Sequence, residues 1–368
     1  MSPAVIEFLE SIVYGNRRDV LSVSIRGILR GLSVVYRAGL WVYLLPFEIG
    51  LRRKHRLGRP VISIGNLTVG GTGKTPATQY LCKGLVNRGW NPAVLSYGYG
   101  GSLHGRFGVV SDKTGVLLTP DAAGDEPVML ASDMPGVPVL VCKHRTTSSR
   151  AAIRDAGADV LVLDDGFQVW KLHRDLDIVL VNAAKPFDNG RTLPAGRLRE
   201  PLSALKRADC IIMMGDCGSV GVKSPIPPYP HTPIQSPVFH GLYIPYAVRL
   251  LSDGSEMEVE AIRGMNILAL SSIANPDSFE ETLAATGAKI VGTERFPDHY
   301  LYSAKDIDNI NKSAADSGAD YIITTDKDAV KLTGYKFSVP IAALSVELAL
   351  DDGESFWKLV EGKLLDIK

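Results

Sequence analysis

The chain is poor in cysteine. Only Cys82, Cys142, Cys210 and Cys217 occur in its 368 residues, in or beside hydrophobic runs and with no C-x-x-C spacing. That excludes a disulfide framework and a zinc site, and it fits a reduced, cytoplasmic compartment. Charge of one sign is missing too, because forty Lys and Arg stand against forty Asp and Glu. A neutral chain lacks the global basic field of non-specific nucleic-acid binders, so nucleic acid is not expected as a main partner. No basic segment leads into an apolar core and a small-residue cleavage site, so no secretory signal is expected. With 45% hydrophobic and 22% charged residues, disorder and collagen-like repetition are also out, and the length suits two or three domains.

The neutrality hides one asymmetry. Residues 1–59 hold ten Lys and Arg against four acids, a net of +6, which leaves −6 for the remainder. From Val20 to Ile49, Leu21, Ile25, Ile28, Leu29, Leu32, Val35, Tyr36 and Leu40 recur at a helical period, with Arg26, Arg30 and Arg37 on another face. The spacing predicts an amphipathic helix. Its longest uncharged stretch, Ala38 to Phe47, is ten residues, against roughly 20 for a bilayer span, so the helix is expected to lie on a membrane and not to cross it. Packing on the protein's own core is the other explanation. Trp41, Tyr43 and Phe47, followed by Arg52-Arg53-Lys54-His55-Arg56, set aromatic and cationic groups side by side as at lipid headgroups.

From Pro60 the pattern becomes short apolar β-branched runs separated by helical stretches: Val61–Ile64, Ala93–Ser96, Val139–Val141, Val160–Leu163, Ile178–Val181 and Cys210–Met213. Strands too apolar to alternate imply an α/β fold with a parallel sheet covered by helices on both faces. Residues 224–237 contain six prolines and cannot sustain a helix or a central strand. Val238–Tyr246 and Met257–Ala261 suggest a connecting hairpin, and a second α/β unit follows. The expected organisation is an N-terminal helix region at 1–59, a phosphate-loop core at 60–237, a linker at 238–262 and a smaller α/β lobe at 263–368, with a cleft between the lobes.

The strongest local signal is Val61-Ile62-Ser63-Ile64-Gly65-Asn66-Leu67-Thr68-Val69-Gly70-Gly71-Thr72-Gly73-Lys74-Thr75, a strand, a glycine loop and a helix start. Such a loop converges backbone N–H groups on phosphate oxygens, with Lys74 toward the β- and γ-phosphates and the Thr75 hydroxyl toward Mg²⁺. Thr68 stands where the strict pattern wants glycine. Val160 to Gly166 is an apolar strand ending in Asp164-Asp165-Gly166; alone it reads as a turn, and downstream of a phosphate loop as metal- or nucleotide-linked acids. Asp125 in Gly124-Asp125-Glu126-Pro127 is explained by helix capping, and His299 in Phe296-Pro297-Asp298-His299-Tyr300 by a surface hydrogen bond.

Taken in order, the phosphate loop, Gly124 to Pro127, Leu163-Asp164-Asp165-Gly166-Phe167-Gln168, the Asn189 to Pro201 block with Leu193-Pro194-Ala195-Gly196-Arg197-Leu198-Arg199-Glu200-Pro201, Ala274-Asn275-Pro276, Phe296 to His299 and Thr325 to Leu332 resemble the tetraacyldisaccharide 4'-kinases, the lipid A 4'-kinases of Gram-negative bacteria. The likeness runs from the basic helix to about residue 345.

The resemblance implies a phosphate-loop NTPase-type fold and ATP-dependent phosphorylation of the 4'-hydroxyl of a tetraacylated glucosamine disaccharide 1-phosphate. It implies a peripheral place on the anionic cytoplasmic face of the inner membrane and no obligate protein partner. By matching motifs, Thr68, Val69, Gly70, Gly71, Thr72, Gly73, Lys74, Thr75 and Gln168 are expected at ATP. Thr75, Asp164, Asp165 and Glu200 are expected at Mg²⁺, and Asp125 with His299 activates the sugar hydroxyl, Asp125 as the base that His299 orients. Tyr97, Val169 and Ser272 depart from the family pattern of Arg, His and Gly. The rival class is a membrane-bound nucleotide switch, which has no use for an Asp-His-bearing acceptor lobe; a soluble small-molecule kinase would differ in needing no lipid or detergent.

Overall fold

The structure is a computed structural model that describes residues 19–70, 72–215 and 235–365. Gly71, Cys217 and most of the proline-rich segment lie outside the described residues. Helix α1 (Val20–Glu48) starts from Asp19, whose carboxylate accepts the Ser22 N–H at 3.0 Å. It docks on the body along a narrow seam. Ser33 Oγ donates to the Thr192 carbonyl at 2.9 Å, Tyr36 Oη donates to the Arg199 carbonyl at 2.8 Å, and Leu40, Leu44 and Phe47 pack on Trp170. Leu21, Ile28, Leu32, Val35 and Val42 remain exposed, as do Trp41 and Tyr43.

Two expectations change here. Phe47 is only 8% exposed and belongs to the seam with Trp170, so it is not among the aromatic groups offered outward. The helix is also long and apolar enough to cross a membrane by length and composition. With 29 residues at about 1.5 Å each it measures roughly 43 Å, and its arginines do not interrupt it. Counting only the uncharged run underestimated it.

Among the described residues, thirteen strands form one sheet: β1 (Val61–Asn66), β2 (Pro92–Ser96), β3 (Gly108–Ser111), β4 (Val139–Val141), β5 (Val160–Asp164), β6 (Leu176–Asn182), β7 (Cys210–Gly215), β8 (Val238–Leu250), β9 (Glu256–Met257), β10 (Asn266–Ser271), β11 (Lys289–Arg295), β12 (Tyr321–Thr325) and β13 (Ile341–Leu350). Their order is β11-β10-β12-β13-β8-β7-β6-β1-β5-β2-β4-β3, with β9 paired to β8. The pairs from β4 to β7 are parallel, as the apolar runs require. Alternate residues of β1, β2 and β5 enter two cores. Ile62, Val94 and Val162 pack with Leu81 and Leu85 of α2 (Lys74–Asn87), whereas Val61, Ala93 and Leu161 pack with Ala151 and Ala152 of α5 (Arg145–Asp155). That is the period-2 alternation of a sheet buried on both faces.

Strand β8 joins the two halves. Its first residues pair in parallel with β7, and Gly241 to Leu250 pair antiparallel with β13. The sheet therefore runs through what the sequence divides into two lobes, and the β8–β9 hairpin lies within it. Where a strand was expected over Met257–Ala261, pairing stops after Met257 and a 3₁₀ turn covers Val259–Ile262. The remaining helices are α3 (Pro120–Ala123), α4 (Asp125–Asp133), α6 (Pro276–Ala285), α7 (Ala304–Ser317), α8 (Asp326–Leu332) and α9 (Gly353–Leu365). Helix α9 returns to the first half, sinking Phe356, Trp357 and Val360 into the core beside α2. Burial of a side chain such as Phe356 contributes about 1.5–3 kcal/mol.

Candidate active site

The segment between β1 and α2 turns sharply at Gly70 and Gly73, whose φ angles are +110° and +76°. At Gly73 a Cβ would fall 1.3 Å from the Tyr243 hydroxyl, so only glycine admits both the backbone conformation and the neighbour. Asn66 Nδ2 donates to Thr72 Oγ1 at 2.6 Å across the loop. The outer side of the loop is held by the 190s block, with the Val69 N–H on the Arg197 carbonyl at 2.8 Å and the Arg199 N–H on the Leu67 carbonyl at 2.7 Å. Thr68 bridges to Leu198. Lys74 and Thr75 open α2, at the end where helix N–H groups favour anions.

Strand β5 lies beside β1 in register, Ile64 facing Asp164, so the acidic pair emerges next to the phosphate loop. Asp164 is buried and accepts from Ser96 Oγ at 3.1 Å, while its Oδ1 has no hydrogen-bond partner among the described residues. Burial, then repulsion from Glu126 and Asp165, pushes its carboxyl up to about 6 against the pull of Lys74 and Ser96. Asp165, at a left-handed φ of +52°, accepts both oxygens' bonds from Arg199 Nη1 at 2.9 and 2.8 Å. The same nitrogen reaches Gln168 Oε1 at 3.1 Å, and Gln168 Nε2 donates to the Asn66 carbonyl at 3.1 Å. Glu200 follows Arg199 and has a partner of its own. It is 1% exposed and paired with Arg207 at 2.9 Å, and the Arg207 guanidinium lies over Phe167 and Trp170.

The C-terminal half brings His299 to Asp125. Nδ1 of the ring lies 3.1 Å from both carboxylate oxygens, although the residues are 174 positions apart. Asp125 opens α4 after Gly124, whose φ is +94° and whose Cβ would fall 2.3 Å from the Tyr99 carbonyl. Burial would push the Asp125 carboxyl up, but the His299 hydrogen bond, Lys327 and Lys331 hold it below the usual range. The Asp125 hydrogen bond in turn raises the imidazole pKa against burial and the Lys327 charge. Tyr99 meets the ring edge-on at 5.4 Å.

A cavity of about 790 Å³ opens between these groups. Val69, Gly70, Thr72, Gly73, Lys74, Thr75, Asp165, Gln168 and His299 line it, whereas Thr68 and the buried Asp125, Asp164 and Glu200 are not lining residues. His299 lines the cavity, and the buried Asp125 holds the Nδ1 side of its ring. Two of the departures from the family pattern, Tyr97 and Val169, also line the cavity. The third, Ser272, accepts from Lys331 Nζ at 2.6 Å and donates to Asp328.

Several lining residues were not singled out from the sequence. Arg145 and Lys143 supply cations, Tyr243 stands over Gly73, and Lys327 meets His299 Nε2 at 3.3 Å. Lys327 and Lys331 sit one helical turn apart inside the Thr325 to Leu332 stretch, a same-face spacing that carried the signal.

Residues 25–365 match the model of the tetraacyldisaccharide-1-P 4'-kinase family. The tetraacyldisaccharide 4'-kinase of Syntrophus aciditrophicus is 39% identical over 353 residues, covering 90% of this chain and 91% of that protein. That of Geobacter sulfurreducens is 40% identical over 335 residues, covering 89% and 88%. Among solved structures, LpxK from Aquifex aeolicus in complex with ATP superposes with a TM-score of 0.74 at 28% identity, covering 92% of this chain and 99% of that one. With Lys74 and an Asp125-backed His299 lining one cavity and these relatives along nearly its whole length, the chain belongs to the tetraacyldisaccharide-1-P 4'-kinase family.

Proposed function

We propose that this protein transfers the γ-phosphoryl group of ATP to the 4'-hydroxyl of a tetraacylated glucosamine disaccharide 1-phosphate at a membrane surface. One observation carries the reading: a phosphate loop and an Asp–His pair address a single cavity from the two halves of the chain. A nucleotide switch has no need of the second. Lys74 neutralises the transferring phosphate. Mg²⁺ fits the orphaned Oδ1 of Asp164 together with the Thr75 hydroxyl, since a site with one or two carboxylates, phosphate oxygens and water is the usual one for this ion. Bound there, it would neutralise charge on the β- and γ-phosphates. Asp165 acts through Arg199 and Gln168 on the wall of the loop. Glu200 steadies Arg207.

A sugar hydroxyl is a poor nucleophile at neutral pH, and His299 takes its proton as attack proceeds. Asp125 keeps the Nδ1 proton, aims the ring and offsets the positive charge it gains. The half of the sheet that carries Lys74 and the half that carries His299 serve as the two walls of the site, and their closure limits transfer to water.

On this reading the enzyme works at the anionic cytoplasmic face of the inner membrane, where ATP and the lipid substrate meet. Helix α1 is held to the body from Ser33 to Phe47, and the part ahead of that seam, residues 20–32, is only about 20 Å long. That is short of the ~30 Å hydrocarbon layer, so the helix lies in the interface with its exposed apolar face in lipid. Neutralising Arg52, Arg53, Lys54 and Arg56 is expected to reduce sedimentation with anionic liposomes at low salt, each cation contributing about 1 kcal/mol. Unchanged sedimentation would contradict the charge contribution. The kinase reading itself is tested by coupling: one phosphorylated lipid should appear for each ADP released, whereas ADP release without a lipid product would indicate a switch.

A further inference from the structure

Helix α8 presents two lysines to the Asp125–His299 pair, and they do different things. Lys331 is 4% exposed, bound to Asp328 at 2.7 Å, and stands 3.8 Å from Asp125 Oδ2. It faces the carboxylate. Lys327 faces the ring: its Nζ donates to Glu126 Oε1 at 3.1 Å and to Asp298 Oδ1 at 2.9 Å, and lies 3.3 Å from His299 Nε2. An ammonium has three protons and no lone pair. All three are used here only if Nε2 carries a lone pair, and the single ring proton then lies on Nδ1 toward Asp125.

We propose that Lys327 is a positioning residue for His299: by donating to Nε2 it keeps the ring neutral with its proton on Nδ1, and it holds the Nε2 lone pair where the acceptor hydroxyl replaces it. The second half rests on His299 being the base. The charged and titratable groups around the ring are Asp125 and Glu126 from α4, Asp298 from its own loop, Lys327 and Lys331 from α8, and the Tyr99 phenol after β2. Three carboxylates are thus balanced by two ammonium groups. Without Lys327 the balance is three to one, and the ring protonates at higher pH. The Lys327 charge opposes the pull of Asp125 on the imidazole in the same sense.

The test is a ¹⁵N titration of histidine-labelled full-length protein, free of substrate, with kcat followed over the same pH range. Above its midpoint, His299 in the unaltered protein should show an unprotonated Nε2. Lys327→Met should raise the midpoint by about one pH unit, a tenfold change in proton affinity, and move the acid limb of kcat upward by a similar amount. Lys327→Arg, which keeps charge and donors, should stay near the unaltered protein in both. A neutral ring with its proton on Nε2 would overturn the proposal without any substitution, even if Lys327→Met did not fold. So would a midpoint unmoved in folded Lys327→Met. Turnover retained by His299→Ala would instead remove the base assignment, while the midpoint and tautomer continue to test the hold of Lys327 on the ring.

Discussion

Alanine at His299 is expected to lower kcat at saturating ATP by roughly 10²- to 10⁴-fold while leaving ATP affinity nearly intact, as for loss of a general base. Asp125→Asn should fall in the same range, because the ring it aims sits 3.1 Å away and only the ring lines the cavity. Two residues acting as a unit lose their effect once. The double variant should therefore be little worse than the more damaged single one, and multiplicative losses would mean independent roles. The pH profile gives a further check. Asp125 raises the imidazole pKa above its ordinary value of about 6.5. Turnover requires the neutral ring, so it should rise with pH through a midpoint above that value, and Asp125→Asn should move the midpoint down even as kcat drops. If Asp125 were only a helix cap, its loss would cost about 1 kcal/mol of stability with turnover retained, which a melting curve and a rate measurement separate.

Lys74→Ala should abolish most phosphoryl transfer, with a loss of roughly 10²-fold or more, as for deletion of one main electrostatic stabiliser. Lys74 opens α2 directly after the left-handed turn at Gly73, so its place relative to the loop is set by backbone geometry. Removing its charge also takes away an attraction that helps hold the Asp164 carboxyl down to about 6. That carboxyl should then protonate more readily and hold Mg²⁺ less well near neutral pH. A folded Lys74→Ala protein with near-normal turnover would contradict the assignment of this loop to phosphate.

Local signals were legible in the sequence wherever one stretch of chain carries them whole. The apolar runs of β1, β5 and β7 and the glycine loop ahead of Lys74 need no distant partner to be recognised, and they stand where the pattern sets them. Non-local pairing was less legible. That β8 would pair with both β7 and β13 depends on strands remote in the chain, and a proline-rich segment ahead of it read as a break although the sheet continues. Helix α1 shows the same limit: its period gave the helix, but Ser33 and Tyr36, two hydroxyls with partners near residue 195, decide which face docks. At the site, Asp125 and His299 were named from motifs, whereas their order toward the cavity and the contribution of Lys327 required three elements to be seen together. That Glu200 pairs with Arg207 could not be read from spacing either.

The most direct measurement follows the product. Purified protein incubated with Mg²⁺, isotope-labelled ATP and the tetraacyl disaccharide 1-phosphate in mixed micelles should yield a lipid heavier by one labelled phosphoryl group, located by NMR on the 4'-oxygen. ATP hydrolysed with the lipid's mass unchanged, or a label on any other oxygen, would contradict the account.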